Sequence, residues 1–377
     1  MKLDLIAATA FGIEAVYKRE IISLGYEIQK VEDGKITFKG DERAIVKTNL
    51  HLRTADRILL KIDEFTAKDF ETLFQRVKGY EWEKLIPVEG KFTVTCSTVK
   101  SRLSSEPACQ ATVKKAIAER LSDFYSLERL PETGDPYTVK VSLLKDRATI
   151  TVDTTGPSLH KRGYRVKTVE APIKENMAAA LVLLSFWNKD RILIDPFCGS
   201  GTIAIEAAMA GLNIAPGINR KFACDNWDII SGKIWKEEKR AAFNQIEYNR
   251  ELKIHAGDID KKAVEAAREN SIEAGVDHVI EFKNMSVSEM KPRGEGGIIL
   301  TNPPYGERIG KQEDIEKIYA FLKDFLKDNS HWSLFLITGR NTAVEDLMGK
   351  KADRRRKLYN GRLETCYYQF HGKKLKS

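Results

Sequence analysis

The 377-residue chain has only five cysteines, scattered at Cys96, Cys109, Cys198, Cys224 and Cys366, with no C-x-x-C pair. That sparsity argues against a disulfide framework, a zinc ribbon or an iron–sulfur cluster, and no metal-ligand set is predicted. Long hydrophobic runs are also missing. The longest nearly uninterrupted stretch, Met177–Trp187, is about half of a membrane-spanning helix, so no membrane partner is predicted. The opening MKLDLIAATAFGIEAVYKRE carries an A-x-A at Ala8–Ala10, but Asp4 and Glu14 bracket a short apolar part. It reads as strand, glycine turn and helix rather than an export signal, which with the cysteine usage predicts a cytoplasmic location.

What is present is ordinary globular material, 42% hydrophobic and 31% charged, long enough for two or three domains. The net charge of +8 is unevenly placed. Residues 350–377 hold ten Lys/Arg against two Asp/Glu, and residues 1–167 hold 29 against 24. Residues 168–349 reverse the sign, with 23 against 28. Basic ends around an acidic middle suit a polyanionic partner, and equally a set of solvated faces.

Periodicity predicts a small α+β unit over residues 1–65 and a second one over 66–155, with a helix over Cys109–Phe124 and paired strands at Tyr137–Leu144 and Arg147–Asp153. Residues 156–170 lack a period, are rich in basic side chains, and read as a linker. From 171 to 377 short apolar strands alternate with longer helices, the grammar of a doubly wound, Rossmann-like α/β fold. The stretch 212–253 interrupts that rhythm and contains Trp227 and Trp235, which predicts a structured insertion.

The sharpest chemical signal is RILIDPFCGSGTIAIEAAMAG, Arg191–Gly211. A strand ends at Asp195, glycines at 199 and 201 let a ligand approach the backbone, and a helix N-terminus offers free N–H groups. The string DPFCGSGT resembles the cofactor loop of class I S-adenosylmethionine-dependent methyltransferases. The resemblance implies that Asp195 faces the methionine ammonium and that Phe197, Cys198, Gly199, Ser200, Gly201 and Thr202 form the nucleoside turn. Cys198 itself reads as a small space-filling residue, not a nucleophile. A carboxylate ending the next strand can accept both ribose hydroxyls; Asp258, with the adjacent Ile259, matches that place, while Asp260 reads as a helix cap. Where the family commonly has an acidic residue for the adenine amine, this chain has Ser286.

Downstream lies LTNPPYGERIG, Leu300–Gly310. Consecutive prolines hold the chain extended, so carbonyl groups there can be aimed at little entropic cost. An exocyclic amine is a poor nucleophile because its lone pair is delocalised into the ring. If the Asn302 side-chain oxygen and the Pro303 carbonyl accept its two N–H groups, with Pro304 stiffening the turn, the nitrogen is drawn toward sp³ geometry. Tyr305 would stack on the extruded base. Neither a metal nor a covalent intermediate is needed.

The motif NPPY resembles enzymes acting on adenine N6, guanine N2 and glutamine amide alike. Residues 66–155, with SRLSSEPACQATVKKAIAERL, resemble the THUMP RNA-binding domain, which is usually preceded by a ferredoxin-like unit. The strings LHKRGYR and NIAPGINRKFACDNW narrow the resemblance to the bacterial 23S rRNA guanine-N2 methyltransferase group. This implies S-adenosylmethionine as cofactor, S-adenosylhomocysteine as product, and RNA as partner: rRNA first, tRNA as the alternative. Candidate RNA contacts are Lys114, Lys115 and Arg120 on the predicted helix, Lys161, Arg162 and Arg165 in the linker, and Arg354, Arg355, Arg356 and Lys357 in the basic tail. An adenine-N6 DNA or protein glutamine methyltransferase, and a ribosome-assembly or RNA-chaperone factor with secondary methyl transfer, are the competing readings. A nicotinamide oxidoreductase would leave NPPY without a job.

Overall fold

A computed structural model describes residues 2–168, 172–304, 312–339, 343–361 and 363–374. The chain divides into two units. The first gathers Met1–Ala8, Glu20–Leu159 and Lys221–Ala241; the second gathers Thr9–Arg19, His160–Arg220 and Ala242–Ser377.

The N-terminal elements are β1 (Leu3–Ala8), α1 (Glu14–Ser23), β2 (Ile28–Glu32), β3 (Lys35–Gly40), α2 (Glu42–His51), β4 (Arg57–Thr66), α3 (Phe70–Lys78), β5 (Lys91–Val99), α4 (Glu106–Tyr125), β6 (Pro136–Leu144) and β7 (Arg147–Asp153). Helix starts follow local chemistry: Asp41, Asp69 and Ser105 accept the backbone N–H of Ala44, Thr72 and Ala108 at the heads of α2, α3 and α4. The strands make one seven-stranded sheet in the order β2-β3-β1-β4-β7-β6-β5. The two α+β segments distinguished in the sequence therefore share a sheet, because β4 pairs with β1 on one side and with β7 on the other. Ten-residue β4 would otherwise present a long row of unpaired backbone groups at an edge.

The remaining elements are α5 (Glu175–Leu184), β8 (Ile192–Asp195), α6 (Thr202–Gly211), α7 (Gly232–Asn244), β9 (Ile254–Asp258), α8 (Lys261–Glu273), β10 (Ile280–Asn284), β11 (Gly297–Thr301), α9 (Gln312–Asp328), β12 (Ser333–Gly339), α10 (Val344–Met348), β13 (Arg354–Asn360) and β14 (Leu363–Phe370). Their sheet runs β10-β9-β8-β11-β12-β14-β13. Strands β8 to β12 are mutually parallel, while β14 is antiparallel to both β12 and β13. Every residue of β11 is buried, as expected of a strand covered on both faces. One core cluster packs α5, α6 and α8 on the sheet together with Ile13, just before α1, and Val16 of α1, and a second packs α9 and α10 on it. From β8 the chain goes to β9 and β10 on one side, then returns to β11 on the other. The crevice outside the carboxyl ends of β8 and β11 is thus the switch point where such sheets bind ligands.

The insertion is structured, and its central part belongs to the first unit. Trp227 is fully buried and stacks on Tyr137 of β6, ring centroids 4.6 Å apart at 17°. The N–H groups of Ala223 and Cys224 reach the Thr155 and Thr154 carbonyls at 3.3 and 3.2 Å. Arg43 of α2 bonds Glu237 at 2.6 Å and Glu238 at 2.5 Å on α7.

Candidate active site

Asp195 ends β8 and is 1% exposed. The Thr301 hydroxyl, at the end of neighbouring β11, donates to its Oδ1 at 2.6 Å, and the Phe197 N–H reaches the same oxygen at 3.3 Å. Both described donors land on Oδ1, so Oδ2 keeps its acceptor capacity. Burial raises this carboxyl from 3.8 to about 7, with the Asp258 charge adding to the effect.

The loop that follows is held from several sides. Gly201 sits at φ +82°, where a Cβ would come within 2.9 Å of the Ala267 Cβ, so glycine is required there. The Cys198 N–H reaches the Gly257 carbonyl at 2.9 Å, tying the loop to β9. The Cys198 thiol is pushed well above its usual range by burial, then by Asp195 and Asp258, which keeps it protonated and inert. Asp258 accepts the Gly199 N–H on Oδ2 at 2.9 Å and the Asp260 N–H on Oδ1 at 3.0 Å. Each of its oxygens retains a second lone pair for a ligand hydroxyl. Asp260 caps α8 as the sequence suggested, accepting from the Lys262 N–H.

A cavity of about 630 Å³ joins these groups. Its lining includes Asp195, Phe197, Cys198, Gly199, Ser200, Thr202, Asp258, Ile259, Ser286, Asn302 and Pro304. Pro303 is buried, and Tyr305 lies outside the described residues. Ser286 caps the short turn Val287–Glu289, and the Glu289 carboxylate accepts the Ser286 N–H in return, at 2.9 Å. The Glu289 carboxylate is therefore occupied with the backbone. Four further lining residues that no sequence motif singles out, Asp314, Lys317, Ile318 and Phe321, come from one face of α9 over two turns.

The basic candidates separate sharply. Arg162 is not a surface cation: its side chain is 2% exposed and faces the fully buried Glu206 at 3.3 Å. Burying Glu206 demands a counter-charge, and the apparent linker supplies it. Arg165 is likewise turned inward, bonding Glu175 at 2.8 Å, the Ile173 carbonyl at 2.9 Å, Thr202 Oγ1 at 3.1 Å and Ser200 Oγ at 3.3 Å. It braces the glycine loop instead of reaching for a phosphate. Asn270 of α8 does similar work, its amide donating to the Ser200 and Lys167 carbonyls while its oxygen accepts the N–H groups of Val166 and Lys167. Arg120 is committed to Glu83, which is 6% exposed. Lys114, Lys115 and Lys161 remain exposed. Arg355 pairs with Glu345 at 2.9 Å and Lys357 with Glu364 at 2.8 Å, while Arg354 is exposed and Arg356 half-buried.

A glycine turn after the first parallel strand, a carboxylate closing the second and Asn-Pro-Pro after the fourth, around one crevice, define a class I methyltransferase domain. Family comparison agrees. Residues 162–369 match the family described as RMKL-like, methyltransferase domain; residues 4–59 match the RlmL ferredoxin-like domain and 67–153 the THUMP domain. The chain belongs to this RMKL-like methyltransferase family. It is 46% identical over 374 residues to "Putative RNA methyltransferase YpsC" of Bacillus subtilis (strain 168), covering 99% of this chain and 97% of that protein. It is 32% identical over 382 residues to "Ribosomal RNA large subunit methyltransferase K/L" of Syntrophotalea carbinolica (strain DSM 2380 / NBRC 103641 / GraBd1), covering 98% of this chain but 53% of that longer protein.

Solved structures superpose along the whole chain. A "possible methylase from Clostridium difficile 630" gives a TM-score of 0.96 at 45% identity, covering 100% of both chains. "SMU.472, a putative methyltransferase complexed with SAH" gives 0.93 at 43%, covering 100% of this chain and 99% of that one. A "predicted N6-adenine-specific DNA methylase from Listeria monocytogenes str. 4b F2365" gives 0.93 at 43%, covering 99% and 97%.

Proposed function

We propose that this protein methylates RNA, transferring a methyl group from S-adenosylmethionine to the exocyclic N2 amine of a guanine, with 23S rRNA as the expected substrate. The observation that carries the reading is that Asn302, Asp195 and Asp258 line one cavity. The residues fit the cofactor: a buried carboxylate under strain suits an ammonium group, a carboxylate with spare lone pairs suits ribose hydroxyls, and Phe197, Ile203, Ile259 and Val287 give apolar walls for a nucleoside. When bound, S-adenosylmethionine supplies an electrophilic methyl on a positively charged sulfur. The chain's own task is to orient the acceptor. Asn302 and the Pro303 carbonyl accept the amine's two N–H groups, draw its lone pair out of conjugation, and hold it for in-line attack. The THUMP and ferredoxin-like modules, and relatives named for RNA and ribosomal RNA, support RNA over DNA as the polymer.

Asn302→Ala should abolish methyl transfer to RNA while S-adenosylhomocysteine still binds. Mass mapping of nucleosides from rRNA and tRNA, with and without the active protein, identifies the product. Loss of N2-methylguanosine from 23S rRNA is the expected result, and loss from tRNA would move the same chemistry to that substrate. A change confined to N6-methyladenosine would overturn the guanine assignment, and unchanged turnover in the variant would remove Asn302 from the mechanism.

A further inference from the structure

Arginines 354 and 356 of β13 share one face of the strand with Leu358, while Arg355 and Lys357 share the other. Leu358 is fully buried in the same core cluster as Ile13 and Val16. A Cβ on Gly12 would meet the Lys357 carbonyl oxygen, so the segment entering α1 lies directly against β13. Arg19 follows Val16 by three residues and so occupies the same side of α1. Three guanidinium groups, from Arg19, Arg354 and Arg356, are thereby brought to one place at the edge of the catalytic sheet.

Arg355 and Lys357, the remaining cations of β13, have described counter-charges. Among the described residues no ion pair involves any of the three, whereas Arg355 and Lys357 are each held by a glutamate. The described bond of Arg19 is a long one, 3.4 Å to the Leu183 carbonyl. Nε of Arg356 is buried with no hydrogen-bond partner. Burial first, then the Arg354 and Arg19 charges, push the Arg356 guanidinium below its usual range. A cluster of guanidinium groups crowded by like charges, with no described counter-charge, suits the anionic oxygens of a phosphodiester.

We propose that Arg19, Arg354 and Arg356 form a phosphodiester-binding site that grips the backbone of the RNA substrate. The inference rests on the RNA-methylating reading above and adds a second anchor within the catalytic unit itself. Strand β13 runs from these arginines to Asn360, whose side-chain oxygen accepts the Lys174 N–H. Pro172 and Ile173, immediately before Lys174, line the cofactor cavity. Arg356 lies four residues from Asn360, about 13 Å of extended strand. A phosphate held there belongs to a nucleotide near the extruded base rather than to the base itself.

The test compares the intact protein with an R19Q/R354Q/R356Q variant, measuring affinity for 23S rRNA fragments between 50 and 200 mM salt (a range of roughly fourfold, wide enough to read the slope). The triple variant should bind roughly tenfold or more weakly at about 100 mM salt, with a log–log salt slope shallower by about two. S-adenosylhomocysteine affinity should stay unchanged, which shows that the catalytic unit is folded. Arg355→Gln should change the slope less than Arg354→Gln. Inorganic phosphate at constant ionic strength should raise the melting temperature of the intact protein but not of the triple variant. Phosphate protection lost without any change in RNA slope would overturn the proposal in favour of a small-anion site. An intact protein that methylates RNA while the variant keeps the full slope would overturn the proposal alone. An intact protein that methylates no RNA would overturn the functional reading, and this proposal with it.

Discussion

Replacing Asp195 with Asn should stabilise the empty protein while weakening its hold on the cofactor. The folded state keeps the Asp195 proton up to about pH 7, whereas an unstrained carboxyl loses it near 3.8. Below 3.8 both folded and unfolded chains are protonated and the site costs nothing. Between 3.8 and about 7 only the unfolded chain has released its proton, so stability falls as pH rises. Above about 7 the cost levels off at roughly 4 kcal/mol, from 1.36 kcal/mol for each step of tenfold. Asparagine leaves an acceptor for the Thr301 hydroxyl and the Phe197 N–H and removes the charge, but its own amide N–H needs a partner, at roughly 1–3 kcal/mol. The net gain at pH 8 is therefore about 1–3 kcal/mol, or several degrees in melting temperature, shrinking toward pH 5. Urea unfolding of both proteins at the two pH values reads this directly, and calorimetry with S-adenosylhomocysteine reads the opposite change in affinity. In the intact protein that affinity should rise about tenfold per pH unit up to about 7 and then level off, while in the variant it should be weak and flat. A stability difference that does not grow from pH 5 to pH 8 would refute the reasoning.

Arg162→Ala should destabilise the protein by about 3–5 kcal/mol in urea unfolding, because it removes the cation facing the buried Glu206 carboxylate, and Glu206→Gln in the same chain should restore part of the loss. The salt slope of RNA binding should not move in that pair; a shallower slope would return Arg162 to the RNA interface. Gly201→Ala should cost roughly 1–3 kcal/mol and lower S-adenosylhomocysteine affinity, since a Cβ at φ +82° meets Ala267. Unchanged melting and binding would mean that the turn can relax without disturbing the loop.

Much of this protein was written locally. Strand Leu3–Ala8, the hairpin turning at Asp33–Gly34 and the paired strands up to Asp153 follow from alternation and turn residues, which depend on nearest neighbours in the chain. The glycine loop between Asp195 and Thr202, the carboxylate at Asp258 and the Asn302 motif were equally legible, because a parallel sheet places the ends of its strands at one edge whatever surrounds them. Tertiary structure decided what each charge does. LHKRGYR looks like a basic linker in sequence; only folding reveals that Glu206 is buried opposite Arg162 and that Arg165 reaches Ser200 and Thr202. The α9 wall of the cavity has the pattern of any amphipathic helix, and nothing local says which face meets a ligand. Among four consecutive cations of β13, two met glutamates and two joined Arg19, a residue more than 330 positions away in the chain. Sequence sets which groups are available and where the backbone turns. Which of them are neutralised, and which are left to meet a ligand, depends on long-range proximity, and that exists only once the chain has folded.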